Sequence, residues 1–279
     1  MTSIRQLFRL WRMYAWLDLM WITRSFRQFL LYFTGDAIVY LATVTAMLLL
    51  AERFDGIGSW SKWQIVFMLG YGLMATSLLD MFFGYNVRFI SRRLGRGQFD
   101  HTLIQPQPVW MALLTDGFNP FGASSSLIAG SAILVWAAGR VSLPVSPGWL
   151  ALCALNLLSS AGIMLAVNFV WGSLAFWAPR ATEEITTPLS RLFDQLRVFP
   201  LDGLGGVLLG SMLTVLPVGL VAWYPCRALL GLDTNPLAMF VTPLAALAAG
   251  GLATLVFTRG MHHYERTGSQ RYKAMGHRG

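Results

Sequence analysis

SRRLGRGQFDHTLIQPQP, Ser91–Pro108, lies between two of the most apolar stretches of the chain, Gln64–Tyr85 and Val109–Ala137. It begins basic, is broken by glycines and ends in prolines. Each flanking run reaches the ~20 apolar residues that a helix needs to cross a bilayer. A short, charged segment held between two such runs marks the water-facing turn of a membrane bundle, and the rest of the chain is read outward from it.

Composition agrees. Of 279 residues, 55% are hydrophobic and only 12% charged, against roughly 25% charged in soluble domains. This is the composition of an integral membrane protein. The formal net charge of +8 requires no nucleic-acid partner, because Lys and Arg collect on the cytoplasmic side of such proteins. Cys153 and Cys226 lie within apolar stretches and suggest no disulfide framework. The opening MTSIRQLFRLWRMYAW mixes arginine with aromatics, unlike the uninterrupted apolar core of a cleaved signal peptide.

Six segments are apolar enough to span: Leu30–Ala51, Gln64–Tyr85, Val109–Ala137, Gly148–Trp177, Leu204–Tyr224 and Leu237–Phe257. The third holds DGFNPFG, Asp116–Gly122, where Pro120 removes a backbone donor and predicts a kink. Before the first span, Arg5, Arg9, Arg12 and Arg27 share one helical arc and Leu7, Leu10, Trp11, Tyr14, Leu17 and Trp21 the other. That is an amphipathic helix lying in the interface, an elbow before the bundle. Asp18 intrudes on its apolar face and is expected to meet a basic partner.

Six spans with both termini on one side divide the basic residues unevenly. One side receives Arg5, Arg9, Arg12, Arg24 and Arg27, the Arg88–Arg96 cluster, Arg180, Arg191 and Arg197, and the basic tail. The other receives only Arg53, Lys62, Arg140 and Arg227. Both termini are therefore expected in the cytoplasm. The fold class is an all-α integral membrane protein of one domain: an elbow helix over 1–28, a six-span bundle over 30–258 and a cytoplasmic tail over 259–279.

No HExxH, GxSxG, paired CxxC or Walker lysine motif occurs. His101, His262, His263 and His277 all fall in expected cytoplasmic segments and read as solvated basic surface, so no metal or cofactor is expected in this chain. Asp36, Asp80 and Asp116, with Asn119, are polar groups within expected spans. The three acids fall at one depth near the inner leaflet, and such groups face protein or water, not lipid. Pairing with Arg24, Arg27 or Arg88 is the structural reading, and a polar vestibule for substrate or protons the functional one. Gly203–Gly210 and Leu244–Ala253 are rich in small residues, which allow close helix approach within or between subunits. Ala178–Gly203 reads as a short amphipathic helix on the inner surface, ended by Pro200.

Three separated stretches resemble bacterial ABC transporter permeases of the type 2 exporter class. They are GIGSWSKWQIVFMLGYGL (Gly56–Leu73), RGQFDHTLIQPQP (Arg96–Pro108) and RGMHHYERTGS (Arg259–Ser269). The second is similar to the family's Arg-Gly-acid-Leu-Asp pattern, with Gln98 where an acid is usual. The resemblance implies an elbow helix, six spans and a coupling helix between the second and third. It also implies two copies of a separate ATP-binding subunit that supplies ATP and Mg chemistry, a second permease that is identical or related, and a bacterial inner membrane. On that reading Arg92, Arg93, Arg96, Gly97, Gln98, Phe99, Asp100, Leu103 and Pro106 form the coupling segment. Phe99 and Leu103, at i and i+4, are expected to enter a groove on the ATPase. The rival expectations are a non-transporting membrane scaffold and, on the poor pairing of Asp116 with His101, a membrane-embedded transferase.

Overall fold

The computed structural model describes residues 2–53, 58–88, 90–143, 145–197 and 199–268. Twelve α-helices and no strand occur among them. α1 (Thr2–Arg24) bends at Ser25 into α2 (Phe26–Arg53), and α3 (Lys62–Arg88) follows. α4 (Ile90–Gly95), α5 (Phe99–Leu103) and α6 (Val109–Thr115) are short, whereas α7 (Ser124–Val141) and α8 (Pro147–Ser173) are long. α9 (Pro179–Leu196), α10 (Gly206–Thr214), α11 (Trp223–Leu229) and α12 (Ala238–Thr267) complete the chain. By length and composition α2, α3, α7, α8 and α12 can each cross a membrane, and the bent pair Gly206–Thr214 and Pro217–Leu229 raises the total to six.

Local chemistry sets the helix ends. The Ser61 hydroxyl accepts from the Gln64 amide while Gln64 Oε1 accepts from the Ser61 amide, a reciprocal cap that starts α3. Ser146 caps α8 by accepting from the Trp149 amide at 3.1 Å, with Pro147 in the first turn. α12 stops at Gly268, whose φ of +73° suits glycine.

α3 is the central column, buried along Ile65–Leu69 and at Tyr71. α7 crosses it where Gly130 meets the backbone of Met74 and Gly70 that of Leu134; a Cβ at either glycine would lie within 2.9 Å of backbone atoms. On its other side the Tyr71 hydroxyl and Ser160 of α8 sit 3.0 Å apart. Of the two readings of the small-residue stretches, close approach within the chain is not seen: Gly203, Gly205, Gly206, Gly210, Gly250 and Gly251 have open space where a Cβ would sit. Close approach within this chain is concentrated instead at α3–α7 and at Gly260.

The third expected span is two helices, not one kinked helix. Between α6 and α7 the chain leaves helical form from Asp116 to Ala123, because Pro120 and two glycines favour a break. Asp18 of α1 accepts from the freed amide of Phe121 (2.8 Å) and, more weakly, from that of Gly122 (3.4 Å), which Asn119 also takes (2.9 Å). Its partner is therefore backbone, not a basic side chain.

The bundle has two distinguishable ends. At the far end, where α3 and α8 begin, Trp63 meets Trp136 edge-on and Trp149 donates to the Leu229 carbonyl at 3.0 Å. At the near end, where those helices finish, Phe99, Phe176 and Tyr264 cluster. These markers correct the expected course of the chain after α8. Glu183 pairs with Arg92 at the near end (3.1 Å), and Phe193 joins the buried cluster of Leu79, Ile163 and Met164 deeper in. The Arg197 guanidinium then donates to the Thr76 hydroxyl, halfway along α3. Asp202 finally accepts from the Trp60 and Trp223 indoles and pairs with Arg227, all at the far end. Pro179–Asp202, within the stretch expected as a short amphipathic helix on the inner surface, thus runs the length of the bundle.

The stretch expected as the fifth span behaves differently. It starts beside Asp202, reaches mid-bundle where Val218 joins Leu79 and Ile163, and ends with Leu229 under Trp149. Bent by 68° at its break, it begins and ends at the far end and makes no net crossing.

Candidate functional site

The near end is built by α4, α5 and the final turns of α8 and α12. α4 closes with a Schellman arrangement: the Gly97 amide donates to Leu94 O (3.0 Å) and the Gln98 amide to Arg93 O (2.9 Å). Gly97 takes φ +69°, which a side chain would resist. The turn directs Phe99 inward. Fully buried, its ring meets Phe176 at 5.5 Å and 76° and Tyr264 at 5.7 Å and 86°. Phe176 and Tyr264 also meet edge-on, 5.7 Å apart. Beside this triad the Tyr264 hydroxyl donates to Asp100 at 2.6 Å. α5 is therefore tied by rings and by a charge-assisted hydrogen bond to the ends of both α8 and α12.

This corrects the expected pair. Phe99 is not a knob for a partner; it anchors the segment to its own bundle. The outward apolar side chains are Leu103, 37% exposed, and Ile104, 80% exposed. They form a ridge with exposed Arg96, Gln98, His101 and Pro106 around it. Arg92 and Arg93 are occupied within the chain, Arg92 with Glu183 and Arg93 with Asp116, both at 3.1 Å. Tyr14 donates to the same Asp116 at 3.0 Å, and Trp11 packs against Phe82 and Phe118, so α1 is fastened to this end. Burial, followed by the charge of Asp116 and the hydrogen bond to it, pushes the Tyr14 phenol up to about 12. It remains a donor at any neutral pH.

The polar residues expected at one depth separate. Asp116 follows the end of α6 and is exposed at the near end. Asn119 lies in the break, its side chain accepting from the Gly122 amide (2.9 Å) and its own amide donating to Met81 O (2.9 Å). Asp36 and Asp80 do lie inside the bundle. Asp36 accepts from Ser125 at 2.8 Å. Arg24 and Arg27 are exposed; the Arg88 side chain and residues 269–279 of the basic tail lie outside the described residues. Among the described residues no three His, Cys, Asp or Glu side chains converge on a metal position.

Tyr264, Phe176, Arg197 and Asp202 were not singled out in the sequence. Tyr264 lay within a noted tail motif, but nothing local signalled its contact with Asp100, 164 positions away. Asp202 could have been suspected from FPLDG: an acid between proline and glycine, just before a long apolar run.

A many-helix apolar bundle with a folded cap at one end defines a multi-pass membrane component. The sequence profile of the ABC-2 family transporter proteins matches residues 37–268. The chain belongs to that family: it is a permease-type membrane component of an ABC transporter, whose relatives work with ATP-binding subunits. No curated protein and no solved structure matches the chain.

Proposed function

We propose that this chain is the membrane-spanning subunit of an ATP-driven exporter in a bacterial inner membrane, operating with a second permease, identical or related, and two ATP-binding subunits. ATP and Mg chemistry belongs to those subunits, and this chain holds no cofactor. The elbow α1 lies at the cytoplasmic headgroups, and both termini are cytoplasmic. The whole chain is one permease domain with α9 as its fifth crossing. Moving Arg191 and Arg197 into the bundle keeps the charge bias, since the far end carries Arg53, Lys62, Arg140 and Arg227 alone among basic residues.

The observation that carries the reading is the two-sided build of α5. Its inner side is bolted to α8 and α12 through Phe99, Tyr264 and Asp100, and its outer side shows Leu103 and Ile104 to the cytoplasm. A partner that grips the ridge moves both helices with it, which is what alternating access needs. Burying the two aliphatic side chains has a gross worth of about 1.5–3 kcal/mol each.

The test is the double variant Leu103→Ala with Ile104→Ala, purified with the ATP-binding subunit encoded nearest to it. The expected result is an unchanged thermal midpoint with at least tenfold less co-purified ATPase. Full co-purification and full coupled ATPase activity would reduce the ridge to a solvated loop and favour a scaffold.

A further inference from the structure

α9 presents three faces. Thr182 and Phe193 are buried in the bundle, Ile185 and Leu192 lie to one side, and Arg180, Glu184, Thr187, Arg191 and Gln195 are all exposed. At 100° per residue these last five fall within an arc of roughly 80°. The stripe is about 22 Å long at 1.5 Å per residue, most of the ~30 Å hydrocarbon thickness. It cannot all sit at a headgroup layer, because its helix is fixed by Glu183 at the near end and by Arg197 on Thr76 halfway along α3. Arg180 and Glu184 pair with each other at 3.3 Å. Arg191, one turn or more deeper, pairs with no side chain among the described residues. Pro188, in mid-helix, cannot donate to the Glu184 carbonyl, leaving a further polar group on the same side. Charged side chains and free carbonyls at membrane depth face water-filled space, not acyl chains.

We propose that this stripe lines the water-filled path of the transporter and that Arg191 is its anion-binding residue, selecting for a compound that carries a carboxylate, sulfate or phosphate group. The inference rests on the permease reading but not on the coupling ridge. Neighbouring Thr187 and Gln195 supply neutral hydrogen-bonding groups one turn to either side; of the nearby acids, Glu184 pairs with Arg180 at 3.3 Å and Asp194, at the edge of the stripe, with Arg197 at 3.6 Å.

The test uses charged thiol reagents and needs neither the transported compound nor the ATPase. Thr187→Cys, Gln195→Cys and the side-face control Ile185→Cys are placed in the full chain, whose native Cys153 and Cys226 are buried. In reconstituted vesicles each is exposed to anionic sulfonatoethyl methanethiosulfonate and to its cationic trimethylammonium counterpart. Positions 187 and 195 are expected to react at least tenfold faster than position 185. Adding Arg191→Glu is expected to lower the anionic-to-cationic rate ratio at position 195 about tenfold, as a two-unit charge change nearby should after screening. Reaction at 187 and 195 no faster than at 185 would mean a face sealed by lipid or by a second copy, and would overturn the proposal. So would an unchanged ratio. The measurement is repeated in neutral phosphatidylcholine and in anionic phosphatidylglycerol vesicles. Loss of the Arg191 effect in the anionic vesicles alone would assign the guanidinium to a lipid headgroup and also overturn it. Failure of these arms leaves co-purification by Leu103 and Ile104 untouched, so the two proposals fail separately.

Discussion

Tyr264 joins three functions in one side chain: its ring closes the triad with Phe99 and Phe176, its hydroxyl holds Asp100, and its helix is the last of the bundle. Tyr264→Phe keeps the ring and removes the donor. It is expected to lower stability by about 1.5–3 kcal/mol, the range for hydrogen bonds to charged groups. Phe99→Ala empties a fully buried position and is expected to cost about 3–5 kcal/mol. Thermal unfolding of the purified chain in detergent checks both. If Phe99 instead faced a partner, its alanine variant would unfold like the parent and fail only in co-purification. The sequence placed Phe99 correctly in a short helix between glycine and proline breaks. What it could not give was direction, because an i, i+4 pair has the same spacing whether it faces its own bundle or another protein. That choice was made by Gly97 and by rings more than 70 positions further along the chain.

At the scale of elements, α3 and α7 depend on mutual approach at Gly70 and Gly130, where a Cβ would press on backbone that cannot yield. Gly130→Val is therefore expected to separate the helices and to lower the thermal midpoint by more than Gly250→Val, since Gly250 faces open space. Equal effects would contradict the crossing. Apolar runs made α2, α3, α8 and α12 legible from sequence, with ends a few residues off except that α12 continues ten residues past the expected Phe257, to Thr267. The same signal failed after α8 for a physical reason. Hydropathy scores contact with lipid, and α9 lies along the bundle with one face on protein and another carrying polar residues. The apolar Leu204–Tyr224 stretch earned its score by dipping into the bundle and returning. In the third span Pro120 was recognised, but the full break also draws on Asp18 of α1, which takes the freed Phe121 amide, and on Asn119, which takes that of Gly122.

Across the whole molecule, the near end gathers the arginines, the ring triad and the ridge, while the far end is held by Asp202 beneath two indoles and Arg227. α8 and α12 run side by side from one end to the other: Asn156 of α8 donates to Met239 O at 3.0 Å, and Phe176 meets Phe257 and Tyr264 below. On the proposed coupling reading, force applied at the ridge would pass through Phe99 and Asp100 to these two helices. The proposed fifth crossing and the Arg191 path both require that Pro179–Asp202 leave one membrane surface and arrive at the other. The most direct measurement is the sidedness of Arg180→Cys and Gly203→Cys, labelled by an impermeant maleimide in intact cells and in inverted vesicles. The account predicts that position 203 reacts only in intact cells and position 180 only in inverted vesicles. Labelling of both positions from the same side would contradict it.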